Sequence, residues 1–146
     1  MKLDAINWKI LSLLQHNARL SNTEIAKQVG ISSPAVAERI RKLEDAEIIE
    51  GYHARVSYFG TGKQLKAIVS VRAFVGRLKP FLEKIVTLDE VVNCYRITGN
   101  ENIVMEVILR NQRHLEEFID LLITYGECKT QIVLSEVIKD NPITNI

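Results

Sequence analysis

Four basic side chains stand close together along residues 27–42, where one acidic residue, Glu38, leaves a net charge of +3. A guanidinium can donate two parallel hydrogen bonds to the edge of a guanine, so Arg39 is our candidate for reading a base. The other three cations suit the phosphates of a nucleic acid better. Cations on a helix face that meets only water are also common, so that alternative stays open. The three phosphate candidates are Lys27, Arg41 and Lys42.

Two short helices joined by a tight turn are predicted over residues 21–43. Ser21 and Glu24 have the spacing of a capping box, in which each side chain accepts a hydrogen bond from the other residue's backbone N–H. Gly30 is expected to end the first helix, because glycine enters the left-handed region at little cost. The apolar residues of this helix recur at helical spacing and predict a buried stripe. They are Ile25, Ala26 and Val29.

The second helix has the two faces that a DNA-recognition helix needs. Ser33 is predicted to cap it and Pro34 to take its first position, where the missing N–H costs nothing. Val36, Ile40 and Leu43 bury one side, and the small residues at its start let the backbone approach base edges in the major groove. We therefore predict a DNA-contacting set of Ser21, Asn22, Thr23, Lys27, Ser32, Ser33, Pro34, Ala35, Glu38, Arg39, Arg41 and Lys42.

A further helix is predicted to precede this pair and to complete a helix-turn-helix (winged-helix-like) domain over residues 1–50. Asp4 is a suitable N-cap for it. A hinge strand around residues 52–58 and a glycine-containing connector are expected to follow, within residues 51–65. The core side of the first helix is predicted to carry Ile6, Ile10, Leu13 and Leu14, and Ile48 and Ile49 are expected to pack back on the helices.

Residues 66–146 change their hydrophobic period. The order of elements is β-α-β-β-α-β, which is the ferredoxin-like plan of a four-stranded antiparallel sheet with both helices on one face. The fold class is therefore predicted to be α+β. Strands are predicted at 67–75, 91–98, 102–110 and 128–139, and helices at 78–88 and 112–125.

The last predicted strand carries apolar residues on both sides, which is typical of a sheet that is covered twice. Helices cover only one face, so we expect an identical copy to cover the other in a twofold dimer. Such a dimer would pair two DNA-reading helices on half-sites about one helical turn apart. One side of this strand is predicted to hold Thr130, Ile132, Leu134 and Ile138. The other side is predicted to hold Val133 and Val137.

Composition favours a folded cytoplasmic protein. Of 146 residues, 47% are hydrophobic and 25% charged, with a net charge of +1, so the predicted basic surface is local. No apolar stretch approaches the roughly 20 residues of a membrane helix, and the start of the chain lacks the core of a signal peptide. Two cysteines, Cys94 and Cys128, are not a disulfide framework and are expected to be small buried hydrophobes.

Catalysis and cofactor binding find little support in the sequence. His16, His53 and His114 lie on different predicted elements, and none has a partner at metal-ligand spacing. A nucleophile with a base and an orienting group cannot be assembled. We predict that the protein is not an enzyme and has neither a metal nor a cofactor.

The chain resembles the Lrp/AsnC, or feast/famine, family of bacterial and archaeal transcription regulators. The resemblance runs through LDAINWKIL, the block LSNTEIAKQVGISSPAVAERIRKLEDAEIIEGY, ITGNENIVMEVIL and TQIVLSEVI, and so covers nearly the whole chain. It implies a C-terminal effector-sensing and oligomerising domain, dimers that assemble into tetramers or octamers on nucleoid DNA, and an amino-acid effector bound between dimers.

The resemblance also implies an effector site after the second strand, where the family has Thr-Gly followed by an acidic residue. The glycine backbone would donate to a ligand carboxylate and the acid would pair with its ammonium. Here Asn102 stands at the acidic position, and a neutral partner forms a weaker bond than a charged one. Glu101 is a candidate to supply the missing negative charge, although neighbouring side chains of an extended segment point to opposite sides, which would turn Glu101 away from the ligand. The implied residues are Thr98, Gly99, Asn100, Glu101, Asn102, Gly126, Thr130 and Ile132.

Three functions remain open at this point. The first is a sequence-specific transcriptional regulator, of amino-acid metabolism, with a small effector. The second is an architectural protein that bends or wraps DNA without an effector, which the missing acid at Asn102 favours. The third, an enzyme built on the ferredoxin-like domain, is the weakest because catalytic groups are missing.

Overall fold

A computed structural model describes residues 2–145 of the chain. Its contacts divide the chain into two compact units. The first unit runs to Ala54 and also contains the chain from Ile138 onward, whereas the second spans Arg55–Val137. The sequence placed all of residues 66–146 in the second domain, so the return of the last residues to the first unit is a difference. Among the described residues, no helix is both long enough and apolar enough to cross a bilayer.

Three helices build the first unit. They are α1 (Ala5–His16), α2 (Asn22–Val29) and α3 (Ser33–Asp45). Asp4 caps α1 as predicted, because its side chain accepts a hydrogen bond from the Asn7 backbone N–H at 2.7 Å. The predicted apolar stripes of the three helices pack into one core. Leu11 is buried there in addition, whereas Ile6, Leu13 and Leu14 are only half-buried. The buried apolar residues are Ile10, Leu11, Ile25, Ala26, Val36 and Leu43.

The turn between α2 and α3 follows the sequence prediction with one correction. The capping box is present: Glu24 N–H donates to Ser21 Oγ at 3.2 Å, and Ser21 N–H donates to Glu24 Oε2 at 2.7 Å. Gly30 ends α2 with φ 77°. The cap of α3, however, is Ser32 and not Ser33, since Ser32 has extended backbone angles and its Oγ accepts from Ala35 N–H at 3.4 Å. The two adjacent serines are equally good caps in sequence, and only the path of the turn chooses between them.

The chain between α3 and the sheet contains no strand. Ile48 and Ile49 pack against the helices as expected. Residues 50–57, in contrast, form neither helix nor strand, and a single 3₁₀ turn follows at Phe59–Thr61. The predicted hinge strand is therefore not formed in this chain, because a strand needs a neighbour for its backbone groups and no strand of the described chain pairs with it.

The second unit has the predicted ferredoxin-like topology. Its strands are antiparallel in the order β2-β3-β1-β4. Alternate residues of the central strands, such as Val69 and Met105, are fully buried, and they pack in one core with Phe81, Phe118 and Leu122 from the helices. The elements are β1 (Leu65–Ala73), α4 (Leu78–Ile85), β2 (Val91–Arg96), β3 (Ile103–Leu109), α5 (Gln112–Leu122) and β4 (Gly126–Ile132).

The last strand corrects the sequence prediction at both ends. It begins at Gly126, which pairs with Ala73, and it ends at Ile132 instead of residue 139. Val133 N–H still donates to Lys66 O at 2.9 Å, but β1 begins at Leu65 and offers no longer ladder. Leu134, Val137 and Ile138 therefore lie outside the sheet and are exposed.

The register also fixes which residues share a face. Thr130 and Ile132 lie opposite Val69 and Ala67, so both belong to the face that the helices cover. The uncovered face mixes apolar and polar groups. Its residues include Ile68, Ser70, Tyr95, Val104, Glu106, Lys129 and Gln131.

Candidate nucleic-acid interface and ligand cavity

The outward side of α3 carries a chain of ion pairs. Glu38 accepts from Arg41 through both carboxylate oxygens, at 2.9 and 3.2 Å, and lies 3.5 Å from Lys42 Nζ. Arg41 also donates to Asp45 at 2.9 Å. All four side chains are about half exposed. The cations predicted for phosphates are thus present on the surface, but they are paired with acids on the same helix.

Arg39 is placed differently from the other cations. Its Nη1 donates to Asp4 Oδ2 and to Asn7 Oδ1, both at 2.8 Å, which ties α3 to the start of α1. Its side chain is 30% exposed, about half the value for Arg41. The sequence made Arg39 the first candidate for a base contact, and the structure finds the guanidinium engaged within the protein.

Asp4 and Asn7 were missed as members of this site. The signal available in the sequence was Asn7 itself, a polar residue between Ile6 and Ile10 on the helix side that packs inward. Asn7 is the buried polar residue among the described residues, at 6% exposure. Buried polar groups are almost always hydrogen-bonded, so its position implied a partner without naming one.

A hollow of about 320 Å³ lies between the start of α1 and the outward side of α3. It brings together three of the predicted DNA-contacting residues that carry charge, Glu38, Arg39 and Lys42. The remaining lining residues are Asn7 and the small Ala35. Ser21, Asn22, Thr23 and Lys27 lie on α2 or at its start, and all four are exposed.

Hydrogen bonds from neighbours hold several carboxylates of this unit in their charged form. The pKa of Asp4 is lowered, first by the Asn7 backbone N–H and then by Arg39. The Ser21 hydroxyl and backbone lower the pKa of Glu24, and Arg41 lowers that of Glu38. Tyr52 donates to Glu44 on α3 at 2.9 Å, and burial together with this carboxylate raises the pKa of Tyr52 to about 12.

In the second unit, the loop between β2 and β3 contains five of the eight implied effector residues, those at 98–102. Gly99 has φ 117°, a backbone conformation that favours glycine. The side chain of Asn102 is used inside the protein, because its Oδ1 accepts from Ala73 N–H at 3.0 Å. The Asn102 backbone forms two more hydrogen bonds of 3.1 Å each. Its N–H donates to Val71 O, and its carbonyl oxygen accepts from Ile97 N–H. Asn102 therefore braces the end of the sheet.

A cavity of about 260 Å³ opens beside this loop. Two of the implied effector residues, Asn100 and Glu101, line it, and the others do not. Thr130 and Ile132 belong to the helix-covered face, and Gly126 is buried where its backbone meets that of Arg72. The further lining residues are Ser70, Arg72, Glu127, Cys128 and Lys129. Both signs of charge thus surround the cavity.

One pair of side chains with catalytic potential, His114 and Glu90, is in contact. Among residues 2–145, no three His, Cys, Asp or Glu side chains are grouped to hold a metal ion. His114 meets Glu90 at 2.9 Å and takes the Arg110 N–H on its other nitrogen, which anchors the start of α5. Cys94 and Cys128 are free thiols whose pKa is raised by burial, although Cys94 is more exposed than the sequence predicted.

Two family models match the chain. One describes an AsnC-type helix-turn-helix domain and covers residues 3–44, and the other describes an Lrp/AsnC ligand binding domain and covers residues 66–143. The HTH-type transcriptional regulator YezC of Bacillus subtilis is 37% identical over 133 residues, which are 91% of this chain and 94% of that protein.

Solved structures agree with these matches. LrpC of Bacillus subtilis superposes with a TM-score of 0.90 at 31% identity, covering 94% of this chain and 98% of its own. A transcriptional regulator of Neisseria meningitidis in complex with L-Met gives a TM-score of 0.91 at 26% identity, covering 97% and 96%.

Proposed function

Because the chain belongs to the Lrp/AsnC family of transcriptional regulators, we propose that it binds specific DNA sites as a dimer-based oligomer. An amino acid or a similar small molecule modulates this binding. The observation that carries the DNA-binding part is the surface of α3, whose apolar stripe packs against the other helices while Glu38, Arg41 and Lys42 face outward. A regulator of this kind works at the nucleoid, in the cytoplasm of a bacterium or archaeon.

Salt dependence tests the DNA contact most directly. Gel-shift titrations with genomic fragments should give a complex at low ionic strength that weakens as salt is added, because bound cations release counterions from DNA. Lys42→Gln should make the slope of log affinity against log salt shallower by about 0.9 if Lys42 meets one phosphate. Lys79→Gln removes the same charge from α4 and should leave the slope unchanged. The absence of any complex at low salt would refute DNA binding.

The uncovered face of the sheet supports the dimer. It presents Ile68 and Val104 half-buried beside Tyr95, which is 51% exposed, and no element of this unit packs over them. A second copy related by a twofold axis would cover this face and pair two α3 helices. Light scattering should report twice the chain mass or more. Val104→Glu should reduce it to one chain, whereas Lys79→Glu should not, and a wild-type monomer at micromolar concentration would contradict the dimer.

The cavity beside Asn100 and Glu101 supports the effector. An amino acid carries one carboxylate and one ammonium, and the cavity offers Arg72 and Lys129 for the first and Glu101 and Glu127 for the second. Arg72 and Glu127 are paired with each other here, which leaves Lys129 and Glu101 as the principal contacts. The complex of the Neisseria relative with L-Met favours an amino acid over other small molecules.

Isothermal titration with each amino acid tests this part separately. One or a few should release heat at millimolar concentration, and Glu101→Gln should weaken the response while Glu83→Gln, an exposed carboxylate on α4, should not. If no amino acid released heat, the proposal of an amino-acid effector would be refuted and the architectural alternative would be favoured. Footprinting then decides between the two, since a regulator protects a defined site and an architectural protein gives extended protection repeating at about 10 base pairs.

A further inference from the structure

The bonds of Arg39 link the middle of the recognition helix to the first turn of α1. A single nitrogen, Nη1, donates to Asp4 Oδ2 and to Asn7 Oδ1 at 2.8 Å. Arg39 follows Val36 by three residues and precedes Leu43 by four, and both of these are fully buried. Residues at these spacings share a side of a helix, so Arg39 leaves α3 along the edge of its packed stripe.

The acceptors of Arg39 are themselves held in place. Asp4 uses Oδ1 to cap α1 through the Asn7 N–H and keeps Oδ2 for the guanidinium. Asn7 is buried, and an unsatisfied amide oxygen there would be costly. One charged group thus satisfies the cap carboxylate and the buried amide together, and the three side chains form a closed link between α1 and α3.

We propose that Arg39 is a positioning residue, which together with Asp4 and Asn7 sets the orientation of α3 on α1, and with it the approach of the outward side of α3 to the DNA. This inference rests on the proposed DNA-binding function. It replaces the assignment of Arg39 as a direct reader of guanine. An arginine that reads a base must leave its two intramolecular acceptors, whereas a positioning arginine keeps them when DNA is bound.

Asp4→Asn separates the two roles, because they predict effects of opposite sign. The amide keeps the oxygen that caps α1 but loses the charge that holds Arg39. If Asp4 only repelled DNA phosphates, removing its charge would strengthen binding. If Asp4 positions α3 through Arg39, the same change weakens binding at the specific site.

The experiment uses a duplex selected by the wild-type protein from random sequences, together with an unrelated duplex of equal length. We expect Asp4→Asn to weaken binding to the selected duplex roughly tenfold, the effect of losing one charge-assisted hydrogen bond. Binding to the unrelated duplex and the salt slope should change little. Arg39→Gln should give the same pattern of base preferences as Asp4→Asn. The variant that carries both changes should bind the selected duplex no more weakly than Arg39→Gln alone, because Asp4 and Arg39 act as one unit. Arg39→Lys, which keeps a charged donor, should restore part of the specificity.

Glu47→Gln is the matched control, since it removes one negative charge from an exposed position just beyond α3. It should not weaken specific binding, and thermal unfolding should show every variant folded at the assay temperature. Binding by Asp4→Asn that equals or exceeds the wild type, with Arg39→Gln relaxed at one base pair only, would overturn the inference in favour of direct reading. A shallower salt slope for Arg39→Gln on both duplexes would overturn it in favour of a phosphate contact. If the wild type bound neither duplex, the proposed function would fail and the inference with it.

Discussion

The side-chain amide of Gln15 pairs with the backbone of Ile143. Its Nε2 donates to Ile143 O at 3.0 Å, and its Oε1 accepts from Ile143 N–H at 2.7 Å. Gln15 lies near the end of α1, so the last described residues of the chain are held on the first unit although the whole second unit intervenes in sequence. The side-chain amide of Gln15 thus satisfies both backbone groups of Ile143, as a neighbouring strand would in a sheet.

Gln15→Ala is expected to lower the stability of the first unit. Two hydrogen bonds are lost, and since both are exposed to water the expected cost is about 1 kcal/mol in the free energy of unfolding. Urea unfolding followed by the fluorescence of Trp8 on α1 measures it. Gln28→Ala makes the same change at an exposed position of α2 and should cost little. Equal stabilities of the two variants would show that the pairing does not hold the chain end in solution.

Glu38→Gln is expected to strengthen non-specific DNA binding. The carboxylate pairs with Arg41 and Lys42, and its removal frees Lys42 for a phosphate while Arg41 keeps only its pair with Asp45. The slope of log affinity against log salt should become steeper by about 0.9 for each cation that reaches a phosphate. Glu117→Gln breaks a comparable pair with Arg113 on α5 and controls for net charge. A slope that does not change would mean that Glu38 does not mask the cations.

The capping box predicts a specific dependence of stability on pH. The pKa of Glu24 is lowered from 4.5 in the folded state, chiefly by the Ser21 hydroxyl. A lowered folded pKa adds stability that is fully present above the unfolded pKa and is lost as pH falls through the folded one. We expect Ser21→Ala to cost about 1 kcal/mol near neutral pH.

The cost of Ser21→Ala should shrink on acidification, once Glu24 is protonated in both folded and unfolded chains. Unfolding in urea at neutral pH and at a pH below the folded pKa of Glu24 measures the difference. Thr23→Ala, on the first turn of α2, should give a small cost that does not depend on pH. A cost for Ser21→Ala that stays constant with pH would argue against the charged capping box.

Gly126→Ala is expected to destabilise the second unit. A Cβ at this position would overlap the carbonyl oxygen of Arg72 and lie 2.8 Å from its carbonyl carbon, and backbone cannot move aside as a flexible side chain does. We expect a loss of about 1–3 kcal/mol, as for other overpacked sites. Gly60→Ala meets Ser57 at an ordinary 3.4 Å and should stay within about 0.5 kcal/mol of the wild type. Thermal unfolding of both variants provides the comparison, and a neutral Gly126→Ala would contradict the close approach of the strands.

Features that depend on neighbours in sequence were predicted well. The Asp4 cap, the box of Ser21 and Glu24 and the left-handed Gly30 are each set by a few adjacent residues. Hydrophobic period likewise identified every helix and every strand of the sheet, because burial on one side imposes the same spacing wherever the partner lies. The prediction of Ser33 as the cap of α3 was wrong, because the cap is Ser32 and both residues offer the same hydroxyl oxygen.

Contacts between distant residues were not accessible in this way. Nothing near Arg39 in sequence indicates that Asp4 and Asn7 lie within reach, and nothing near Asn102 indicates that its oxygen is taken by Ala73. Likewise, the apolar residues after Ile132 predict a continued strand from sequence alone. Only the pairing with β1 shows that the ladder stops at Ile132. The site residues named from sequence remain predictions for experiment.

By itself, the sequence determined the local conformations, the order of elements and the family, because capping, turn geometry and hydrophobic spacing act over a few residues. Only the tertiary structure decided which polar groups satisfy one another. Burial removes water from side chains such as Asn7, and each must then find a partner from whatever element the fold brings near. That requirement is what ties Arg39 on α3 to Asn7 on α1.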